Sequence, residues 1–168
     1  MFDTACRLCK EQTIQKGFLF KCIKKGCTAV FWDKTAVKKA LKENPGEIEK
    51  IIADAEIPKV PKGTHFVYIL RMRQSKKEKE KRKKDGTPLI QKEYIGETAF
   101  HPYKRYLNHI IGHKHSRRHR TDKYATALIY FKGEKMTRKV AVEEERTLIN
   151  KRRAKGINAL GGHIVKEG

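Results

Sequence analysis

Four cysteines gathered near the start of a strongly basic chain constrain its fold more than any other feature. They form two close pairs, Cys6-x-x-Cys9 and Cys22-x4-Cys27, and no other cysteine occurs in the 168 residues. In a reducing compartment such pairs read as a four-thiolate zinc site, with tetrahedral Zn²⁺ about 2.3 Å from each sulfur. Two disulfides are the alternative that an oxidising compartment would favour. So short a module buries too little apolar surface to fold unaided, so the metal is expected to supply most of its stability. The runs Gly17 to Lys21 and Thr28 to Trp32 read as strands beside the second pair. Phe18, Phe20, Phe31 and Trp32, with Lys21, Lys24 and Lys25, suit either of two roles: stacking on a nucleic-acid strand, or a small core that docks the module on its neighbour.

Lys and Arg number 40 against 19 acids, a formal charge of +21. An excess of this size favours a polyanionic partner, because each cation that neutralises a phosphate releases condensed counterions. Hydrophobic residues make up 38%, enough for one modest core with a small module attached. No apolar run approaches the ~20 residues needed to cross a bilayer, which predicts no membrane partner. The first residues lack the basic start and apolar stretch of a signal peptide, so a cytoplasmic protein is expected, nucleoid-associated when on DNA.

Asp33 reads as the N-cap of a helix running to about Asn44 and broken by Pro45-Gly46. Ile48, Ile51, Ile52 and Ala55 then recur at helical spacing, and Pro58, Pro61 and Gly63 punctuate the chain. The expected organisation is a zinc ribbon over 1–33, a helical linker over 34–63 and a catalytic-type domain over 64–168. That last part opens with an apolar strand, Phe66 to Leu70, and a second, Glu93 to Gly96. Between them lies a basic arm from Arg71 to Asp85, a long loop or short helix that carries Lys76, Lys77, Lys81, Arg82, Lys83 and Lys84. Leu89 and Ile90 are expected to start the return strand.

A helix from Pro102 to Gly112 carries Arg105 and His109 on one face, and Tyr103, Tyr106, Leu107, Ile110 and Ile111 on an apolar one. Tyr124 to Lys132 reads as a third strand, with Ala125, Ala127, Ile129 and Phe131 on one face and Gly133 turning it. A helix from about Arg138 to Arg153 places Glu145 in line with Ala141, Leu148 and Arg152, and Gly156 is a candidate left-handed cap. The fold class is therefore α+β, a small three-stranded antiparallel sheet flanked by helices. Most of the seven histidines fall between His101 and Lys123 among Lys and Arg. His113, His115 and His119 alternate with cations that would oppose a metal ion, so phosphate contact is the better reading. Lys104, Lys114, Arg117, Arg118 and Arg120 join the basic arm as candidate DNA contacts.

Two tyrosines in strands, an Arg/His pair and a later carboxylate, in this order on a basic chain, are the parts of a phosphodiester-cutting site. The order resembles the GIY-YIG nuclease family. Phe66-Val67-Tyr68 stands where that family has Gly-Ile-Tyr, Tyr94-Ile95-Gly96 matches the second half of its name, and Glu145-Arg146-Thr147-Leu148-Ile149 resembles its Glu-x-x-Leu-Ile run. Arg105, His109 and Asn158 fall where the family has its arginine, histidine and closing asparagine. The chain departs from the pattern at Phe66, in the long insert between the tyrosine strands, and at Glu97, where many members carry lysine or a small polar residue. The cysteine module resembles the zinc ribbons of bacterial type I topoisomerases.

What the resemblance implies is a metal-dependent endonuclease, restriction-type or mobile-element associated. Tyr68 would take a proton from water, Tyr94 orient the phosphate or water, Arg105 clamp the phosphate charge and His109 donate or shuttle a proton. Glu145 would hold Mg²⁺ or Mn²⁺, and Asn158 would position groups near it. One such site cuts one strand, so a double-strand break calls for a homodimer or sequential nicking. RNA as substrate, a repair role, and a non-catalytic zinc-ribbon binding protein are the alternatives.

Overall fold

A computed structural model describes residues 5–112 and 119–161. The cysteine module contributes strands β1 (Thr13–Lys16), β2 (Leu19–Cys22) and β3 (Val30–Trp32), followed by helices α1 (Lys34–Glu43) and α2 (Ile48–Asp54). Asp33 caps α1, its carboxylate accepting from the Ala36 N–H at 2.9 Å. The remainder runs β4 (His65–Met72), α3 (Lys76–Asp85), β5 (Lys92–Thr98), α4 (Pro102–Ile110), α5 (Thr121–Tyr124), β6 (Ala125–Met136), α6 (Arg138–Ala154) and β7 (Asn158–Gly161).

The expected three strands are present as the antiparallel centre β6-β4-β5, but the sheet is larger. It has seven strands in the order β1-β2-β3-β6-β4-β5-β7, and β7 lies parallel to β5. Both edges of a three-stranded sheet would leave ladder groups unpaired. Here β3 meets β6 at Val30 opposite Leu128, and β7 covers β5. The ribbon thus shares one sheet, and the ribbon and linker helices one core, with the segment they precede.

Alternation along β4 divides the two faces. Tyr68, Leu70 and Met72 pack with Phe20, Phe31, Trp32, Val37, Ile51, Tyr106, Leu107 and Ile110; Val67 and Ile69 pack with Ile95, Ala141 and Ile149. Helix α4 and the linker helices therefore cover one face and α6 the other, which is why β4 is apolar on both sides. Phe20, Phe31 and Trp32 are buried, so of the two roles open to the ribbon aromatics these three take the core one. The Trp32 indole N–H donates to the Tyr103 carbonyl at 3.1 Å, tying β3 to α4.

Several local expectations are corrected. Gly133 does not end its strand, since β6 continues to Met136 opposite His65. A Cβ on Gly133 would stand 2.3 Å from the Phe66 ring, so the glycine permits a close crossing. Register shifts between β4 and β6 interrupt the face expected along β6, leaving Leu128 buried beside Ala127 and Phe131 37% exposed. Leu89 and Ile90 are exposed, and the return strand begins at Lys92. The basic arm is a helix with no buried residue, held at its start by a capping box in which the Ser75 hydroxyl accepts from the Glu78 N–H and the Glu78 carboxylate accepts from the Ser75 N–H. Gly156, at φ 75°, closes α6 in a Schellman arrangement, with the Ile157 N–H on the Arg152 carbonyl at 3.1 Å and the Gly156 N–H on Arg153 at 2.9 Å.

Candidate functional site

Antiparallel register sets Tyr68 opposite Gly96 and Leu70 opposite Tyr94. The two phenols thus share the face covered by α4, their ring centres 6.2 Å apart. Gly96 is what lets them meet: a Cβ there would lie 2.8 Å from the Tyr68 hydroxyl and 3.0 Å from the Tyr94 ring. Helix α4 then brings down Arg105 and His109, one turn apart. Arg105 Nε donates to the Tyr68 hydroxyl at 3.3 Å, and His109 Nε2 shares a 2.7 Å hydrogen bond with the same oxygen. On its far side His109 Nδ1 shares a 2.7 Å hydrogen bond with Thr121 Oγ1 from α5.

His109 does not sit on an open polar face. It is fully buried with Tyr106, Leu107 and Ile110, while Ile111, expected inside, is 36% exposed. Burial, and then the Arg105 charge, pull the imidazole pKa down to about 3. A neutral ring has one donor and one acceptor nitrogen, so a proton accepted at Nε2 from Tyr68 requires that Nδ1 give its own to Thr121. Burial first, then the neighbouring Tyr94, raise the Tyr68 phenol well above its ordinary pKa, opposed by Arg105. Tyr94 is raised chiefly by burial, with the Arg105 charge acting against it and that of Glu145 adding to the rise. Both rings are therefore phenols at rest.

Glu145 is fully buried on α6 with Ala141 and Ile149 one turn to either side, and Leu148 and Arg152 on the same face are partly buried. Its Oε1 lies 3.2 Å from where a Cβ on Gly161 would stand. The Gly161 carbonyl accepts from His119 Nε2 at 3.2 Å, and the His119 ring is 5.6 Å from Tyr94. Glu145, Gly161, His119 and Tyr94 thus form a chain of neighbours where the end of β7 lies alongside β5. Asn158 stands apart: it is exposed at the start of β7, opposite Lys92, and its N–H donates to the Gln91 carbonyl. Glu97 is engaged by His65 Nδ1 at 3.0 Å and Arg138 at 3.8 Å.

Two functional-looking groups went unread in the sequence. Thr121 offered no signal, since its partner is twelve residues back and the contact is purely tertiary. Glu93, wholly buried between Arg71 at 3.7 Å and Arg152 at 3.4 Å, was findable, because strand alternation puts it opposite in facing to Tyr94. Of the candidate DNA contacts, Lys76, Lys77, Lys81, Lys83 and Lys84 are exposed on α3 and Arg82 is half-buried. Lys104 lies over the Phe100 ring, and Arg120 is exposed beside Asp122. Lys114, Arg117, Arg118, His113 and His115 lie outside the described residues.

The four cysteines come together as the spacing predicts. All four sulfurs lie within 4.8 Å of one another, Cys6 to Cys27 at 3.8 Å and Cys9 to Cys22 at 3.5 Å. Sulfurs at the corners of a tetrahedron with 2.3 Å metal bonds are about 3.8 Å apart, whereas a disulfide brings them to about 2 Å. The thiols are free, and the cluster is close enough to bind a metal ion, compatible with structural zinc. Lys10 and Gly26, both at positive φ, close the two knuckle turns.

No helix among the described residues is long and apolar enough to cross a membrane. No protein-family profile, curated protein or solved structure matches the chain.

Proposed function

We propose that the chain is a metal-dependent endonuclease of the GIY-YIG type that hydrolyses phosphodiester bonds, with DNA as its substrate. The observation that carries this reading is the Tyr68 hydroxyl, bonded to both Arg105 and His109 with Tyr94 alongside. Four side chains from three separate elements meet in the order that the sequence pattern implies. A buried phenol is a weak base, so Tyr68 acts only when cationic charge offsets its ionisation. Arg105, half-buried beside Tyr68, supplies part of that charge and would meet the phosphate. His109 holds the phenol through Nε2, and Thr121 holds the imidazole at Nδ1. Glu145 is the carboxylate that would hold a single Mg²⁺ or Mn²⁺, and such an ion would stabilise charge on the phosphate.

The cysteine cluster would hold structural zinc, and the exposed lysines of α3 with Lys104 and Arg120 would contact the DNA backbone. A second reading rests on a specific observation: Tyr68, His109 and Glu145 are all fully buried, as members of a purely structural core would be. In that case the protein grips nucleic acid without cutting it. Incubation with supercoiled plasmid and Mg²⁺ separates the two. Nicked or linear product that disappears in Glu145→Ala supports the nuclease; a salt-sensitive gel shift with intact plasmid supports the binder.

A further inference from the structure

A cavity of about 510 Å³ opens where the start of α1, the chain just past β4 and α5 come together, away from the phenol cluster. Among the described residues five cations line it, Lys34, Lys38, Arg73, Arg120 and Lys123, against one carboxylate, Asp122. Asp122 is engaged by Arg120 at 3.5 Å, leaving the other four without an acid in the lining. Lys34 and Arg73 each give a hydrogen bond to a backbone carbonyl, those of Ala125 and Lys123. An ammonium has three donors and a guanidinium five, so both keep donors for a ligand. Burial, then repulsion from Arg73, Lys38 and Arg7, lower the Lys34 pKa to about 8. Like charges held this close repel until an anion joins them.

We infer that this cavity is a phosphate-binding site that seats a backbone phosphate of a nucleic acid, separately from the Tyr68 cluster. Nucleic acid is favoured over a free phosphate compound because Arg73 also lines a neighbouring cavity that holds Lys79. Lys123 and Arg73 flank the Tyr124 ring at 5.5 and 5.8 Å, while Lys92 on the same ring is paired with Glu78 at 2.6 Å, so the track for a polyanion runs from the cavity through Arg73 toward Lys79. The same short helix that supplies Lys123 also carries Thr121, which holds His109. A strand seated here is therefore gripped by the element that orients the imidazole. The site stands on its own geometry and holds whether or not Tyr68 cuts.

The test uses the full chain and a fluorescent DNA duplex in magnesium-free buffer, so no cleavage enters the readout. Anisotropy is followed across a salt titration for wild type, for Lys38→Gln/Arg73→Gln/Lys123→Gln, and for a control of equal charge change, Lys59→Gln/Lys62→Gln/Lys155→Gln, all six side chains being exposed. The cavity variant should bind at least ~10-fold more weakly and lose roughly 0.9 of salt slope per phosphate contact removed, while the control changes little. Equal losses in both variants overturn the site, because charge alone then explains binding. Inorganic phosphate titrated by ³¹P NMR forms the second arm. Saturable phosphate binding lost in the cavity variant, with DNA affinity unchanged, overturns the nucleic-acid assignment in favour of a free phosphate compound. Should the triple variant unfold, Lys38→Gln and Lys123→Gln singly carry the same expectation, about 0.9 of slope each.

Discussion

The phenolic oxygen of Tyr68 and Nε2 of His109 lie 2.7 Å apart, joining the central strand to the helix above it through two side chains with no solvent exposure. A hydrogen bond in that setting is strong, and leaving either partner alone costs about 1–3 kcal/mol. Tyr68→Phe should lower stability by that amount and abolish plasmid nicking. Thermal melting and the nicking assay read the two effects separately; full activity in the phenylalanine variant would remove Tyr68 from the chemistry.

Thr121→Val keeps shape while removing the hydroxyl beside His109 Nδ1. The expected result is a stability loss of about 1 kcal/mol and a markedly larger fall in kcat than in KM, because the imidazole loses its fixed tautomer. If kcat is unchanged, proton movement does not pass through His109.

Gly96→Ala should act on both phenols together. The added methyl would stand 2.8 Å from the Tyr68 hydroxyl, and displacing well-packed side chains costs about 1–3 kcal/mol. Cleavage should fall at least as far as in Tyr68→Phe, while the metal content of the ribbon stays at the wild-type level.

His101 and His109 give acid sensitivity with a definite sign. Burial lowers the folded-state pKa to about 4 for His101, and burial together with Arg105 lowers it to about 3 for His109, against about 6.5 in the unfolded chain. Above pH 6.5 both states are neutral and these groups contribute no pH dependence. Between there and about pH 4 the unfolded chain binds more protons, so stability falls as the pH falls. Urea unfolding between pH 7 and pH 4.5 should show this loss, and His101→Gln should reduce its slope. An unchanged slope would mean that His101 is protonated in the folded protein.

Removing the metal should reach beyond the ribbon, because Phe20, Phe31 and Trp32 pack in the same core as Tyr68 and Tyr106. Elemental analysis should find one ion per chain. Chelation or Cys22→Ser should lower the melting temperature of the whole domain, and a variant that keeps the wild-type melting temperature without metal would show that the cysteines do not support the fold.

What the sequence by itself determined is what short-range signals encode. Cysteine spacing placed the four-thiol cluster, Asp33 and Pro45 bounded α1, apolar runs marked the central strands, and Gly156 marked the end of α6. The Ser75-x-x-Glu78 box at the start of α3 is a short-range signal of the same kind, although the expectation for the arm is only a long loop or short helix. Tertiary structure alone decided what lies opposite each face. A helical wheel puts Arg105 and His109 on one side of α4 but cannot say that the sheet waits there, so His109 becomes core. Strand alternation cannot say that β3 will cover the edge of β6 or that β7 will run parallel to β5, since backbone pairing follows from chain ends meeting across long separations. For the same reason Thr121 comes to hold His109 and Glu145 comes to lie beside Gly161 from distant parts of the chain, while Asn158 stays exposed at the start of its strand.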